Sequence, residues 1–93
     1  MSGNEATITQ TMTIEEERKP AFEILSQIEA QLKRDSSLSD QEREDLVTNV
    51  DMIRGQLRKR EPSRLALAAL LQPLGQVASV AGFVVNLIKL LNP

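Results

Sequence analysis

The sequence predicts a mainly α-helical chain, a three- to four-helix bundle with one short N-terminal β-like strand. Two patterns indicate this: apolar residues recur at steps of three and four through residues 20–60, and period-two alternation occurs only before residue 15. The segment 65–91 is rich in Ala, Val and Leu. Because 93 residues build one modest core at most, surplus apolar surface is expected to meet another chain or a bilayer.

An extended lead is predicted over residues 1–19, with a strand at residues 7–14. Threonine occupies every odd position from 7 to 13, and the even positions hold Ile8, Gln10, Met12 and Ile14. This alternation of β-branched residues is typical of a strand with one mostly apolar face. Ile8, Met12 and Ile14 are therefore candidates for strand pairing with another copy or with a partner's sheet edge. The alternative is an extended lead that a helix covers.

Two helices, at about residues 20–34 and 40–60, are predicted to form an antiparallel hairpin. Pro20 suits the first turn of a helix, and Ser39 with Glu42 forms a capping box. Each helix carries a narrow apolar stripe at steps of three and four, and its members are Phe22, Leu25, Ile28 and Leu32 in one helix and Leu46, Val50, Ile53 and Leu57 in the other.

Two further helices are predicted at residues 63–71 and 73–91. Ser63 can cap the first, and Pro73 marks either the first position of the second or a kink. On a helical wheel the arc of 73–91 opposite Gln76, Asn86 and Lys89 holds no polar residue, so the apolar face is much wider than the stripe of an ordinary surface helix.

Three interpretations of this apolar segment stay open. It is a core helix of a monomer, or a core helix whose exposed remainder pairs with another copy, or a segment (65–91) that inserts into a bilayer. For self-association the candidate residues are Gly75, Ser79, Gly82, Asn86, Val77, Val80, Val84, Leu87 and Leu91. For a membrane, a basic collar precedes the apolar segment, and its members are Arg54, Arg58, Lys59, Arg60 and Arg64.

Composition argues against an enzyme. The chain has no Cys, His, Trp or Tyr, so the usual nucleophile–base pairs and transition-metal ligands are missing, and no cofactor is expected. Nucleic acid is not an expected partner, because the chain is acidic overall and its two phenylalanines offer little stacking surface. No small-molecule substrate is expected either. The polar residues 1–10 lack the features of a secretory signal, so a cytoplasmic location, with possible membrane association, is expected.

The layout resembles small helical modules of bacterial conflict and cell-death systems, the death-like and effector-associated domains. The resemblance rests on the strand-like lead at 4–14, the acidic capped segment LSDQEREDL at 38–46, the segment LRKREPSR at 57–64 and the Ala/Val/Leu-rich end. It covers residues 7–91 as a pattern of layout, and it carries over no individual functional residue. It implies a homo-oligomeric adaptor in bacterial immunity that brings effector proteins together or recruits them to a membrane.

Overall fold

A computed structural model describes residues 13–91 of the chain. Within this range five helices follow one another, and they are α1 (Ile14–Glu17), α2 (Lys19–Arg34), α3 (Asp40–Leu57), α4 (Arg64–Gly75) and α5 (Ala81–Leu91). The described residues contain no strand. The predicted helical class is confirmed.

The N-terminal strand is not confirmed. Its residues 7–12, including Ile8 and Met12, lie outside the described residues. Of its last two positions, Thr13 keeps an extended backbone as the N-cap of α1, and Ile14 is helical. The Thr13 hydroxyl accepts a hydrogen bond from the Glu16 amide at 3.1 Å and caps α1, and Ile14 is the half-buried first residue of that helix. A threonine cap and three glutamates in the first turn favour a helix start at Ile14.

Helices α2 and α3 form the predicted hairpin. The capping box of Ser39 and Glu42 is present, with both reciprocal hydrogen bonds at 2.9 and 3.1 Å. The two stripes meet along the hairpin, where Leu25, Ile28 and Ile53 are fully buried. The α3 helix ends at Leu57, three residues before the predicted end at 60.

Two arginines fix the ends of this hairpin, and the periodicity gave no sign of them. The Arg18 guanidinium donates to the carbonyls of Leu57 at 2.6 Å and Lys59 at 2.7 Å, which satisfies the C-terminal end of α3. At the other end, Arg43 donates to the carbonyls of Leu32, Asp35 and Leu38. Both side chains act as C-terminal caps supplied by the neighbouring helix.

The predicted single helix over 73–91 is wrong, and so is the predicted end of the preceding helix at 71. Pro73 lies inside α4, which continues to Gly75, and a turn over residues 76–80 separates α4 from α5. Pro73 cannot donate to the Ala69 carbonyl, and α4 ends two residues after it, at Gly75. An unbroken helix of this length would extend about 28 Å. The turn instead folds α5 back along α4, which places Gly75 against Val84.

The four longer helices pack around one core. Helices α2 and α4 lie diagonally, each in contact with α3 and α5. Helices α2 and α3 run antiparallel, because Arg18 at the start of α2 reaches the Leu57 carbonyl at the end of α3. The Asn49 amide of α3 donates to the Leu70 carbonyl of α4 at 3.4 Å and joins these two helices. The buried core consists of Ala21, Leu25, Ile28, Leu32, Val50, Ile53, Leu57, Leu67, Leu71, Leu74, Val80, Val84 and Leu87.

Candidate interaction surface

The last helix shares its apolar residues between the core of its own chain and the surface. Of the predicted self-association residues, Val80, Val84 and Leu87 are at most 3% exposed and belong to the core. Val77 and Leu91 are half-buried. The other four, all small or polar, are exposed, and they are Gly75, Ser79, Gly82 and Asn86.

The predicted small-residue seam does not lie on one helix. Gly75 ends α4, Ser79 is in the turn, and only Gly82 and Asn86 share a face of α5. A Cβ added at Gly82 would have no neighbour within 4 Å, so this face is open. The break at 76–80 thus removes the continuous seam and leaves a two-residue remnant.

Three large apolar side chains of α5 are exposed instead. Val85 is 50% exposed, Ile88 41% and Leu90 46%. The sequence indicates that this segment has more apolar surface than a hairpin can cover, but it does not single out these three residues. Only the packing of α5 on α2 and α4 decides which part of a wide apolar arc remains outside.

A groove of about 860 Å³ lies beside this face, where α4, α5 and the start of α2 converge. We call it the α4–α5 groove. Its walls are mostly apolar and its rim carries charge. The residues that define it here are Arg18 and Ala21 from the start of α2, Leu67 and Ala68 from α4, and Ile88 and Leu91 from α5.

Arg18 closes one end of the α4–α5 groove. Its hydrogen bonds to the carbonyls of Leu57, Lys59 and Arg60 hold the start of α2 against the end of α3. Leu57 itself also lines the groove.

The turn before α5 is tied to the hairpin by a hydrogen bond. The Ser79 hydroxyl donates to the Asp35 carboxylate at 2.8 Å. Hydrogen bonds from Ser37 and then from Ser79 hold the pKa of the Asp35 carboxyl below its ordinary value. This contact anchors the N-terminal end of α5 beside the link between α2 and α3.

The predicted basic collar is partly neutralised within the chain. Arg54 forms salt bridges with Glu29 and Asp51. Hydrogen bonds from Arg54 and then Lys33 lower the pKa of the Glu29 carboxyl. A separate exposed pair joins Arg58 to Glu15 at 2.9 Å. The remaining members, Lys59, Arg60 and Arg64, are exposed around the end of α3 and the start of α4, and Arg64 also lines the groove.

Two further findings bear on function. No helix among residues 13–91 is long and apolar enough to cross a membrane, and the segment 65–91 is divided into helices of 12 and 11 residues. Comparison with protein-family models, with curated proteins and with solved structures found no match to this chain.

Proposed function

We propose that this chain is a non-enzymatic interaction module, a four-helix bundle that self-associates through the exposed apolar face of α5. The observation that carries the proposal is the exposure of Val85, Ile88 and Leu90 on one short helix. Val85 and Ile88, three residues apart, share one face of α5, whereas Leu90 lies about 160° around the helix from Ile88. An exposed apolar face on a small domain is typical of an interaction site. The adaptor role in bringing effector proteins together, which the resemblance implies, belongs to the same proposal.

The exposed area sets the strength of this contact. Full burial of one such side chain contributes roughly 1.5–3 kcal/mol, so burying the exposed halves of all three contributes at most about 2–4 kcal/mol per chain. Two chains then gain at most about 4–8 kcal/mol, and the cost of association, about 4–15 kcal/mol, leaves a net gain of no more than about 4 kcal/mol. Self-association through α5 alone is therefore weak, with a Kd of about 1 mM at the strongest.

Equilibrium sedimentation tests the proposal from about 10 µM to 1 mM, the range in which so small a net free energy shifts the equilibrium. The wild-type mass should rise with concentration, and Val85→Asp and Ile88→Asp should hold the mass of one chain. Both sites are exposed, so these variants should keep the helical circular dichroism of the wild type. Val84→Asp is unsuitable, because Val84 is 3% exposed and a buried carboxylate would unfold the core.

Met52→Asp is the matched control. Met52 is 53% exposed, close to the value for Val85, but it lies on α3. The Met52→Asp variant should associate as the wild type does. A wild-type mass of one chain up to 1 mM, or equal loss of association in all three variants, would refute self-association through α5.

A further inference from the structure

We propose that the α4–α5 groove is occupied by the chain's own N-terminal segment, residues 6–12, and that this segment competes with a second copy for the groove. Occupancy of the groove by residues 6–12 does not depend on the proposed self-association. Only the competition with a second copy rests on that proposed function. The groove's dimensions, the point at which the chain enters it, and the sequence pattern of the segment each support the occupant.

The chain reaches the described residues at the end of the groove. The Glu17 amide donates to the Thr13 carbonyl at 3.1 Å, so Thr13 lies one helical turn from Glu17. Glu17 and Arg18 both line the groove. Residue 12 therefore begins within a turn of the groove wall, and the twelve residues before Thr13 need no long linker to enter it.

The length of the segment matches the groove. The α4 wall runs from Arg64 to Gly75, eleven steps of about 1.5 Å, or about 16 Å. An extended chain advances about 3.3 Å per residue, so residues 7–12 span about the same distance. The segment can therefore run along the whole α4 wall without a turn.

The sequence pattern of the segment fits an apolar groove with solvent on the other side. In an extended chain the even positions Ala6, Ile8, Gln10 and Met12 share one mostly apolar face, while Thr7, Thr9 and Thr11 share the other. Groove residues such as Leu67, Ala68, Ile88 and Leu91 offer apolar surface to the first face. The threonine face then replaces Ile88 as the surface in contact with water.

Tethering favours this occupant over a second copy. A segment joined to the edge of its site by a short linker has an effective concentration on the order of millimolar. A second chain in a dilute sample is present at a much lower concentration. The tethered segment therefore occupies the groove first, and it covers Ile88 and Leu90, two of the three residues proposed for self-association.

Paramagnetic relaxation tests the occupancy on the full chain. The protein has no cysteine, so Thr9→Cys carries a single nitroxide label on the solvent face of the segment. At about 50 µM, well below the effective concentration of the tether, the amide signals of Ala68 and Ile88 should broaden. The amide of Thr48, exposed on α3 and outside the groove, should broaden less than either.

Two substitutions in the labelled chain separate docking from mere proximity. Ile8→Asp should abolish most of the broadening at Ala68 and Ile88, since it places a carboxylate on the apolar face. Thr7→Asp adds the same charge to the opposite face and should leave the broadening unchanged. Equal broadening in both variants would show that the label is near the groove without binding in it, and the proposal would be overturned.

Mixed samples identify the source of the segment. In a mixed sample, one set of chains carries the nitroxide but no ¹⁵N, and the other set carries ¹⁵N but no nitroxide. The groove signals of the ¹⁵N chains should then stay sharp at the same concentration. Broadening there would assign the groove to a second copy and overturn occupancy by the same chain. If Ile8→Asp also raises the mass in sedimentation, competition is supported. If the broadening results hold but the mass never rises, the occupancy stands and self-association fails.

Discussion

Replacing Arg43 by glutamine should strongly destabilise the fold, although Arg43 belongs to no apolar stripe. Its guanidinium donates to three carbonyls at the link between α2 and α3, those of Leu32 at 3.1 Å, Asp35 at 2.8 Å and Leu38 at 3.2 Å. The side chain is 25% exposed. A hydrogen bond with a charged partner contributes about 1.5–3 kcal/mol, and water reaching the freed carbonyls recovers part of this. We therefore expect a loss of about 2–4 kcal/mol.

This loss is large for so small a chain. At roughly 0.05–0.15 kcal/mol per residue, 93 residues have a free energy of unfolding of about 5–14 kcal/mol. The expected change lowers Tm by about 10–25 °C. Urea unfolding followed by far-ultraviolet circular dichroism measures it, because the chain has no Trp or Tyr for fluorescence. Arg43→Lys should recover only part of the stability, since an ammonium lacks the planar fork.

Arg34→Gln is the control for the loss of one positive charge at the same helix end. Arg34 is exposed in the last turn of α2, where a cation contributes roughly 0.3–1 kcal/mol through the helix dipole. If Arg43→Gln costs no more than Arg34→Gln, the three carbonyl contacts do not stabilise the hairpin link, and the reasoning fails.

Three further predictions concern the local stability of the helices. Gly55→Ala should raise the free energy of unfolding by about 0.5–1 kcal/mol, measured by urea unfolding, because Gly55 is exposed inside α3 and an added Cβ meets nothing within 4 Å. Ser39→Ala should lower it by about 0.5–2 kcal/mol in the same assay, while Ser36→Ala in the preceding link should have little effect. The free energy of unfolding should fall as the pH drops below roughly 4, the ordinary pKa of an Asp carboxyl, and then through the lowered pKa of Asp35 in the fold. The reason is that a carboxyl whose pKa is lowered by folding stabilises the fold only while it is ionised. Asp35→Asn should reduce this pH dependence, and an unchanged pH profile would contradict the role of Asp35.

Sequence patterns predicted the hairpin well because its signals are local. The stripe that includes Leu25 and Ile28 has the helical period, and the capping box of Ser39 and Glu42 needs only residues three apart. The start of α2 followed from Pro20, which lies in its first turn. Each of these features is determined within one or two helical turns, so no knowledge of the packing is needed to find it.

The C-terminal half was less predictable because tertiary packing decides it. Pro73 is compatible with a helix end, a kink or a helix start, and the structure places it inside the last turn of α4. The turn over 76–80 contains Val77, Ala78 and Val80, which are not typical turn residues. It forms where a continuous helix would leave the core, and it allows Val80 to be fully buried.

The same turn explains why an excess of apolar surface persists. A helix of 11 residues has about three turns, and one face of α5 is already used by Val84 and Leu87 against the core. An apolar residue on the side of α5 that faces away from α2 and α4 has no neighbouring element of the described chain to cover it. Val85 and Ile88 are in that position, so more than two-fifths of each side chain contacts water in a chain whose core is otherwise closed. Exposed apolar surface lowers solubility unless another segment or chain buries it. The two partners proposed for α5, a second copy and the N-terminal segment, compete for Ile88.

Measuring which of the two contacts Ile88 therefore decides whether the isolated chain is a monomer or an assembly.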